Sequence, residues 1–149
     1  MGNPNSGKTA IFNLLTGMNQ KVSNYPGITV EKRKGTTLLA QNTQAEILDM
    51  PGTYSLTPES LDEKIVAQQV LDWMQEKEKP AAIISVVDAG NLSRNLYLTS
   101  QILDLDIPVI MALNMMDRVK RKNQDIDCQA LKKMLGAAAV IPMSAREKW

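Results

Sequence analysis

Residues 2–9 read Gly2-Asn-Pro-Asn-Ser-Gly-Lys-Thr9, a stretch that satisfies G-x-x-x-x-G-K-[ST] at every fixed position. The spacing has a mechanism. Glycines let backbone N–H groups turn inward as an anion-binding nest. A helix that starts near Lys8 adds the positive end of its dipole to the same spot. Lys8 then reaches the terminal phosphates of a nucleotide, and the Thr9 hydroxyl is a ligand for Mg²⁺. Downstream, Ile11, Leu14 and Leu15 recur at helical spacing, which predicts a helix over Lys8–Thr16 closed by Gly17. A loop of this type normally follows a β-strand. Here only Met1 precedes Gly2, so the expectation is a fold that lacks its first, central strand.

The rest of the chain alternates between strand and helix patterns. Residues 18–30 carry Asn24, Pro26 and Gly27 and read as a long loop. Thr36–Ala40 and Ala45–Asp49 are short apolar runs joined by QNTQ, a hairpin signal. A second loop, MPGTYSLTPES, leads to Ser60-Leu-Asp-Glu63, a capping box that predicts a helix start. Pro80 bars the extension of that helix. Ala81–Ala89 and Pro108–Asn114 are continuous apolar runs of strand length, as suits parallel strands covered on both faces. Asn91–Leu103 and Gln129–Leu135 read as helices, the latter stopped by Gly136, and Ala138–Ala145 as a last strand. The pattern predicts a single α/β domain over residues 1–149, doubly wound around a mostly parallel sheet, of the P-loop GTPase type and without a closing helix. A polypeptide so reduced is expected to be marginally stable and to bind nucleotide weakly.

Further motifs fall at the ends of these strands. Asp49-Met-Pro-Gly52 places a carboxylate where it holds Mg²⁺ through water, with the Gly52 N–H free for a terminal phosphate. Asn114-Met-Met-Asp117 places a carboxylate that accepts from N1–H and the exocyclic amine of guanine, groups adenine does not offer. Ser144-Ala145-Arg146 follows the last strand, with the Ala145 N–H available to the guanine O6. Thr29, in the first loop, is a second hydroxyl for Mg²⁺. Each of these later motifs is weak alone. In this order, each at the carboxyl end of its strand, they define a guanine nucleotide site, because open α/β sheets bind ligands there. The residue after D-x-x-G is Thr53, too short to act as a water-positioning glutamine does. No side chain is therefore assigned as a base, and main-chain groups around Gly27–Thr29 are expected to hold the water.

Composition narrows the function further. The formal net charge is +1 and no long run has one sign, which removes the electrostatic argument for nucleic acid or an anionic membrane surface. There is no histidine, so no imidazole base or ligand exists. The single cysteine, Cys128, cannot form an internal disulfide and reads as a structural thiol in a reducing compartment. The longest apolar run, residues 81–87, falls far short of the ~20 residues that span a bilayer. With one cysteine and no carboxylate cluster, the expectation is no iron-binding site and no direct membrane insertion. The methionines read mostly as core filler. Tyr25 is open between stacking on nucleotide and packing on the protein, and Glu31–Lys34 reads as a solvated charged face.

At these residues the chain resembles the N-terminal GTPase (G) domain of the bacterial ferrous iron transporter family FeoB. GNPNSGKTAIFNLLTG, NYPGITVEKRKG, DMPGTYSL, SLDEKI, VVDAGNLSRNLYLT and NMMD all carry the resemblance. Nucleotide chemistry does not require Asn91–Thr99, which makes that stretch the more specific. Met115 stands where ordinary small GTPases have lysine, as it does in this family.

The resemblance implies a GTP-binding, slowly hydrolysing cytosolic head, at the inner membrane, of a polytopic protein that takes up Fe²⁺. Its partners are then a helical regulatory domain and a membrane domain. It also implies K⁺ activation with Asn5 as the K⁺ ligand, the alternative for Asn5 being stabilisation of the loop alone. The implied nucleotide contacts are Gly2, Asn3, Pro4, Asn5, Ser6, Gly7, Lys8, Thr9 and Ala10 of the phosphate loop. They continue with Gly27, Ile28, Thr29, Val30 and Glu31, then Asp49, Met50, Pro51 and Gly52. Asn114, Met115, Met116, Asp117, Ser144, Ala145 and Arg146 complete the set. Lys8, Asn5, Thr29 and Gly52 are the implied catalytic groups; Thr9, Thr29 and Asp49 the Mg²⁺ ligands. A soluble GTPase of ribosome assembly or tRNA modification shares the phosphate loop, but that class usually has the lysine-containing guanine motif and an RNA-binding domain. A non-functional remnant is the third reading.

Overall fold

The computed structural model describes residues 1–75 and 79–145. It holds two three-stranded ladders. The first is antiparallel, from β1 (Gln20–Asn24), β2 (Glu31–Leu38) and β3 (Gln44–Asp49). The second is parallel, from β4 (Ile83–Asp88), β5 (Val109–Asn114) and β6 (Ala139–Pro142). The helices are α1 (Lys8–Thr16), α2 (Leu61–Gln75), α3 (Leu92–Leu103), α4 (Met116–Arg121) and α5 (Cys128–Leu135). Met1 and Gly2 lie along β4: the Val86 N–H donates to Met1 O at 2.8 Å, and Gly2 pairs with Val86 in parallel sense. Between β3 and β4 lies a cavity of about 490 Å³, lined by Lys8, Phe12, Asp49, Trp73 and Ile84 among others.

Successive strand residues point to opposite faces, and the apolar runs of β4 and β5 use both. Val86 and Ala112 pack with Ile11 of α1 on one side. Val87, Met111 and Leu113 pack with Met116, Val119 and Leu131 of α4 and α5 on the other. Nearer the start of these strands, Ile83 and Val109 join Val70 of α2 and Leu98 and Ile102 of α3. The two-sided burial is why β4 and β5 read as unbroken apolar runs.

Local signals act as their chemistry requires. The Glu63 N–H donates to Ser60 Oγ at 3.2 Å and the Ser60 N–H to Glu63 Oε2 at 3.2 Å, a reciprocal capping box. Asp127 caps α5 through the N–H groups of Gln129 and Ala130, and Gly136 ends it in the left-handed region, φ 69°.

Four elements differ from the sequence expectation. The stretch 18–30 is not all loop: Gln20–Asn24 forms β1, because β2 supplies a ladder partner for a segment with little strand propensity of its own. The strand expected from Thr36 begins at Glu31. The last strand ends at Pro142 instead of running to Ala145, since Met143–Ala145 turn away to bond the β5–α4 connection. The short α4, which starts within the guanine motif and runs on to Arg121, carried no periodic signal.

Gly35 of β2 is buried because α1 crosses it. A Cβ at this position lands on the Thr16 side chain and 3.1 Å from Asn19 O. Gly35→Ala is therefore expected to destabilise the fold by about 1–3 kcal/mol, the usual cost of overpacking, read as a lower denaturation midpoint in urea.

Candidate functional site: a phosphate loop tied to a base loop

The phosphate loop uses the left-handed region at two points, Asn5 (φ 62°) and Gly7 (φ 95°). Gly7 is the N-cap of α1, so the turn delivers the chain into the helix with the helix's free N–H groups behind it. The Lys8 ammonium donates to Asn3 O at 3.3 Å. The loop of Asp49–Gly52 packs against this unit. A Cβ at Gly52 lies 3.1 Å from Lys8 Nζ and 3.1 Å from Pro4 Cα, and the Thr53 N–H donates to Gly2 O at 3.2 Å. Lys8, Pro4, Gly52 and Asp49 are thus brought together from two sequence-distant loops.

The electrostatics follow from partial burial. Burial pulls the Lys8 pKa down, and the Asp49 carboxylate opposes that shift. Burial pushes the Asp49 pKa up, against the pull of the amino terminus, Lys8 and Arg33. Thr53 is fully buried, and its hydroxyl donates to Ser55 O and lies 3.3 Å from Glu63 Oε1. It is a fastening of the loop, sealed from solvent with its proton directed at protein acceptors.

The base loop is held just as tightly. Asn114, 2% exposed, donates from Nδ2 to Ser6 O at 2.9 Å and accepts at Oδ1 from the Ala145 N–H at 2.9 Å. One carboxamide therefore ties the phosphate loop, the end of β5 and the loop after β6. The Ala145 N–H assigned to the guanine O6 is engaged by that bond. Met115 takes the left-handed conformation (φ 64°) and opens α4. The Met116 side chain goes into the core. The Asp117 N–H donates to Ser144 Oγ at 3.0 Å, and the Asp117 carboxylate stands 3.5 Å from Arg121 Nη2. Ser144 thus orients Asp117 from beneath. Arg146 lies outside the described residues.

The first loop stands apart from this cradle. The Tyr25 N–H donates to Val30 O and the Ile28 N–H to Tyr25 O, closing a turn with Gly27 at φ 76°. Thr29 is exposed on that turn, and Glu31 pairs with Arg33 at 2.6 Å. Tyr25 packs on the protein: its ring is buried, its hydroxyl reaches Met50 Sδ at 3.8 Å, and Lys32 lies over it at 5.2 Å. That contact also buries Met50.

A second cavity, about 570 Å³, runs from Asn114, Met115 and Asp117 along the outer side of the phosphate loop to α3. Its far wall holds Tyr54, Asp88 and Arg94, none of which the nucleotide motifs point to. The signal for Arg94 was the stretch Asn91–Thr99, specific in sequence yet without a nucleotide role, while Tyr54 and Asp88 stand in DMPGTYSL and VVDAGNLSRNLYLT, which carried the family resemblance.

Comparison with known proteins agrees with this geometry. The family model for the N-terminal part of ferrous iron transport protein B matches residues 1–149. The Fe(2+) transporter FeoB of Legionella pneumophila (strain Lens) is 47% identical over 151 residues, 99% of this chain and 19% of that protein. The Salmonella typhimurium (strain LT2) FeoB is 46% identical over 150 residues, 98% of this chain and 19% of that protein. The chain thus spans about a fifth of the length of these relatives. Among solved structures, the cytosolic domain of L. pneumophila FeoB superposes with a TM-score of 0.89 at 48% identity, over 99% of this chain and 56% of that one. A GDP-bound single-residue variant of the S. thermophilus FeoB G-domain gives 0.86 at 44%, over 99% and 54%. The T. maritima FeoB cytosolic domain in GMPPNP form gives 0.85 at 38%, over 97% and 55%. With the phosphate loop, the D-x-x-G loop and the base loop assembled as a P-loop GTPase assembles them, the chain belongs to the FeoB family, as its N-terminal G domain.

Proposed function

We propose that this domain binds GTP and GDP, hydrolyses GTP slowly, and through that cycle regulates Fe²⁺ passage through the membrane part of a transporter. The observation that carries the reading is the pair of hydrogen bonds of the Asn114 carboxamide, which donates to Ser6 O and accepts from the Ala145 N–H. It makes the phosphate and base subsites one rigid cradle, and solved relatives carry GDP and GMPPNP. Lys8 and the α1 N-terminus neutralise the phosphates, Gly52 senses the terminal one, and Asp117 selects guanine. Asp49 and Thr9, joined by Thr29 when the first loop folds in, fit Mg²⁺: all are oxygen donors, and the ion needs only one or two protein ligands beside phosphate and water. A divalent cation would also oppose the partial burial that pushes the Asp49 pKa up. When bound, Mg²⁺ offsets phosphate charge.

Asn5 is exposed on the loop with its side chain outside the hydrogen-bonded cradle, which suits a K⁺ ligand. K⁺ then supplies charge where an arginine otherwise does. Titration with GTP, GDP and ATP in K⁺ and in Na⁺ tests the nucleotide reading; equal ATP and GTP affinity would sink it. Asn5→Ala is expected to abolish any K⁺ stimulation of turnover, at least about tenfold on the scale of one missing transition-state charge contact, while GDP affinity stays within twofold. Stimulation that survives in that variant removes Asn5 as the ligand.

Among the described residues, no three His, Cys, Asp or Glu side chains gather as a metal-binding group, and no helix is long and apolar enough to cross a membrane. The helical and membrane domains are proposed as partners in the full-length protein, which would hold this domain at the cytoplasmic face of the bacterial inner membrane.

A further inference from the structure

Tyr25 opens the turn 25–30 that joins β1 to β2. It is 8% exposed, while Asn24, Pro26, Gly27 and Thr29 around it all stand in solvent. A tyrosine buried on an exposed turn has found a partner elsewhere, and that partner is Met50. The Tyr25 hydroxyl donates to Met50 Sδ at 3.8 Å, Met50 itself is 3% exposed, and the Lys32 ammonium lies over the ring, 5.2 Å from its centroid. Thioether against aromatic ring is a favourable contact that adapts to irregular gaps.

Two main-chain bonds turn this side-chain anchorage into an anchorage of the whole turn. The Tyr25 N–H donates to Val30 O at 3.0 Å, and Tyr25 O accepts from the Ile28 N–H at 3.2 Å. Thr29 stands between those two bonded residues. On the other side of the contact, Met50 directly follows Asp49. The β2–β3 ladder ends at the Arg33–Asp49 pair, so among the described residues the strand pairing stops short of the turn, and the Tyr25 ring carries the contact onward. The Asp49 carboxylate acts on the same hydroxyl: burial first, and then that charge, pushes its pKa up. At Gly27, φ 76°, a Cβ would meet nothing within 4 Å, so the turn beyond the anchor has room to swing.

We propose that Tyr25 is a positioning residue, which pins the turn bearing Thr29 to the loop bearing Asp49 before any ligand arrives. Two oxygen donors on separate loops then approach one Mg²⁺ with much of the ordering already done, which lowers the entropic cost of closing them on the ion. The pin is a property of the free protein. Its effect on Mg²⁺ rests on the guanine nucleotide reading above.

The test compares wild type, Tyr25→Phe and Tyr25→Ala by calorimetric titration with GMPPNP, with Mg²⁺ and with a chelator, and with GDP under chelator. The quantity read is the gain in GMPPNP affinity on adding Mg²⁺. Tyr25→Ala is expected to cut that gain about fivefold, the scale of ordering one loop side chain on binding, with chelated GDP within about twofold of wild type. Tyr25→Phe keeps the ring on Met50 and should hold the gain within about twofold of wild type. Amide hydrogen exchange on the ligand-free protein reads the pin itself. The Ile28 N–H should exchange about tenfold faster in Tyr25→Ala and near the wild-type rate in Tyr25→Phe, and an unchanged rate at the Leu131 N–H of α5 shows that the variants are folded. A gain in Tyr25→Ala equal to or above that of wild type overturns the proposal, as does a wild type whose GMPPNP affinity ignores Mg²⁺. Loss of chelated GDP binding in Tyr25→Ala would place the ring on the nucleotide and overturns it too. Should wild type bind neither nucleotide, the guanine reading falls. Exchange then decides the pin: a faster Ile28 N–H in Tyr25→Ala upholds it, and an unchanged rate overturns it.

Discussion

Gly7→Ala is expected to bind GDP about a hundredfold more weakly than wild type, from roughly 3 kcal/mol lost at the cradle. Two effects add. Gly7 sits at φ 95°, ψ 19°, and holding a residue with a Cβ in the left-handed region costs about 1–2 kcal/mol. The added Cβ also falls on Nδ2 of Asn114, the atom that donates to Ser6 O. Pushing that carboxamide aside breaks a buried hydrogen bond, at about 1–3 kcal/mol, and loosens the Ala145 N–H on its other side. Phosphate and base subsites then cease to be one body. Calorimetric titration with GDP measures the loss, and a far-ultraviolet melt separates it from global unfolding. An affinity within threefold of wild type would show that the Asn114 tie does not govern binding.

Asp117→Asn is expected to exchange the base preference. A carboxylate accepts from both N1–H and the exocyclic amine of guanine, two charge-assisted bonds of about 1.5–3 kcal/mol each. Asparagine keeps one acceptor and turns the other contact into donor against donor. GDP affinity should fall about a hundredfold, on the scale of 2–3 kcal/mol. Xanthosine diphosphate, which has a carbonyl where guanine has the amine, should gain by a similar factor. The substitution leaves the Asp117 main-chain N–H on Ser144 Oγ, so the loop is retained and the swap reports on the side chain alone. Competition between GDP and xanthosine diphosphate reads it directly. Equal losses for both nucleotides would mean that Asp117 acts through its neighbours, not on the base.

Much of the fold was legible because several signals are local. The 3.6-residue spacing after Lys8, the reciprocal bonds of Ser60 and Glu63, the Gly136 stop and the two apolar runs of β4 and β5 each need only near neighbours or a covered sheet. The strand Gln20–Asn24 was not legible: Gln, Lys, Ser and Asn have little reason to extend until β2 offers its N–H and C=O groups. Nor was α4, whose six residues are too few for a period and are fixed by Ser144 and Met143 from the far end of the chain.

For the site, the sequence alone determined which chemical groups are present and in what order, since G-x-x-x-x-G-K-T, D-x-x-G and N-x-x-D are requirements on residue type at fixed spacing. Tertiary structure alone decided what those groups are free to do. It committed the Ala145 N–H to Asn114, buried Tyr25 on Met50, tied up the Thr53 hydroxyl, and set Arg94 on the Tyr54 ring. The physical reason is that hydrogen-bond partners and burial are properties of residues brought together across the fold, 108 positions apart in the case of Asn114 and Ser6, and spacing along the chain carries no record of them.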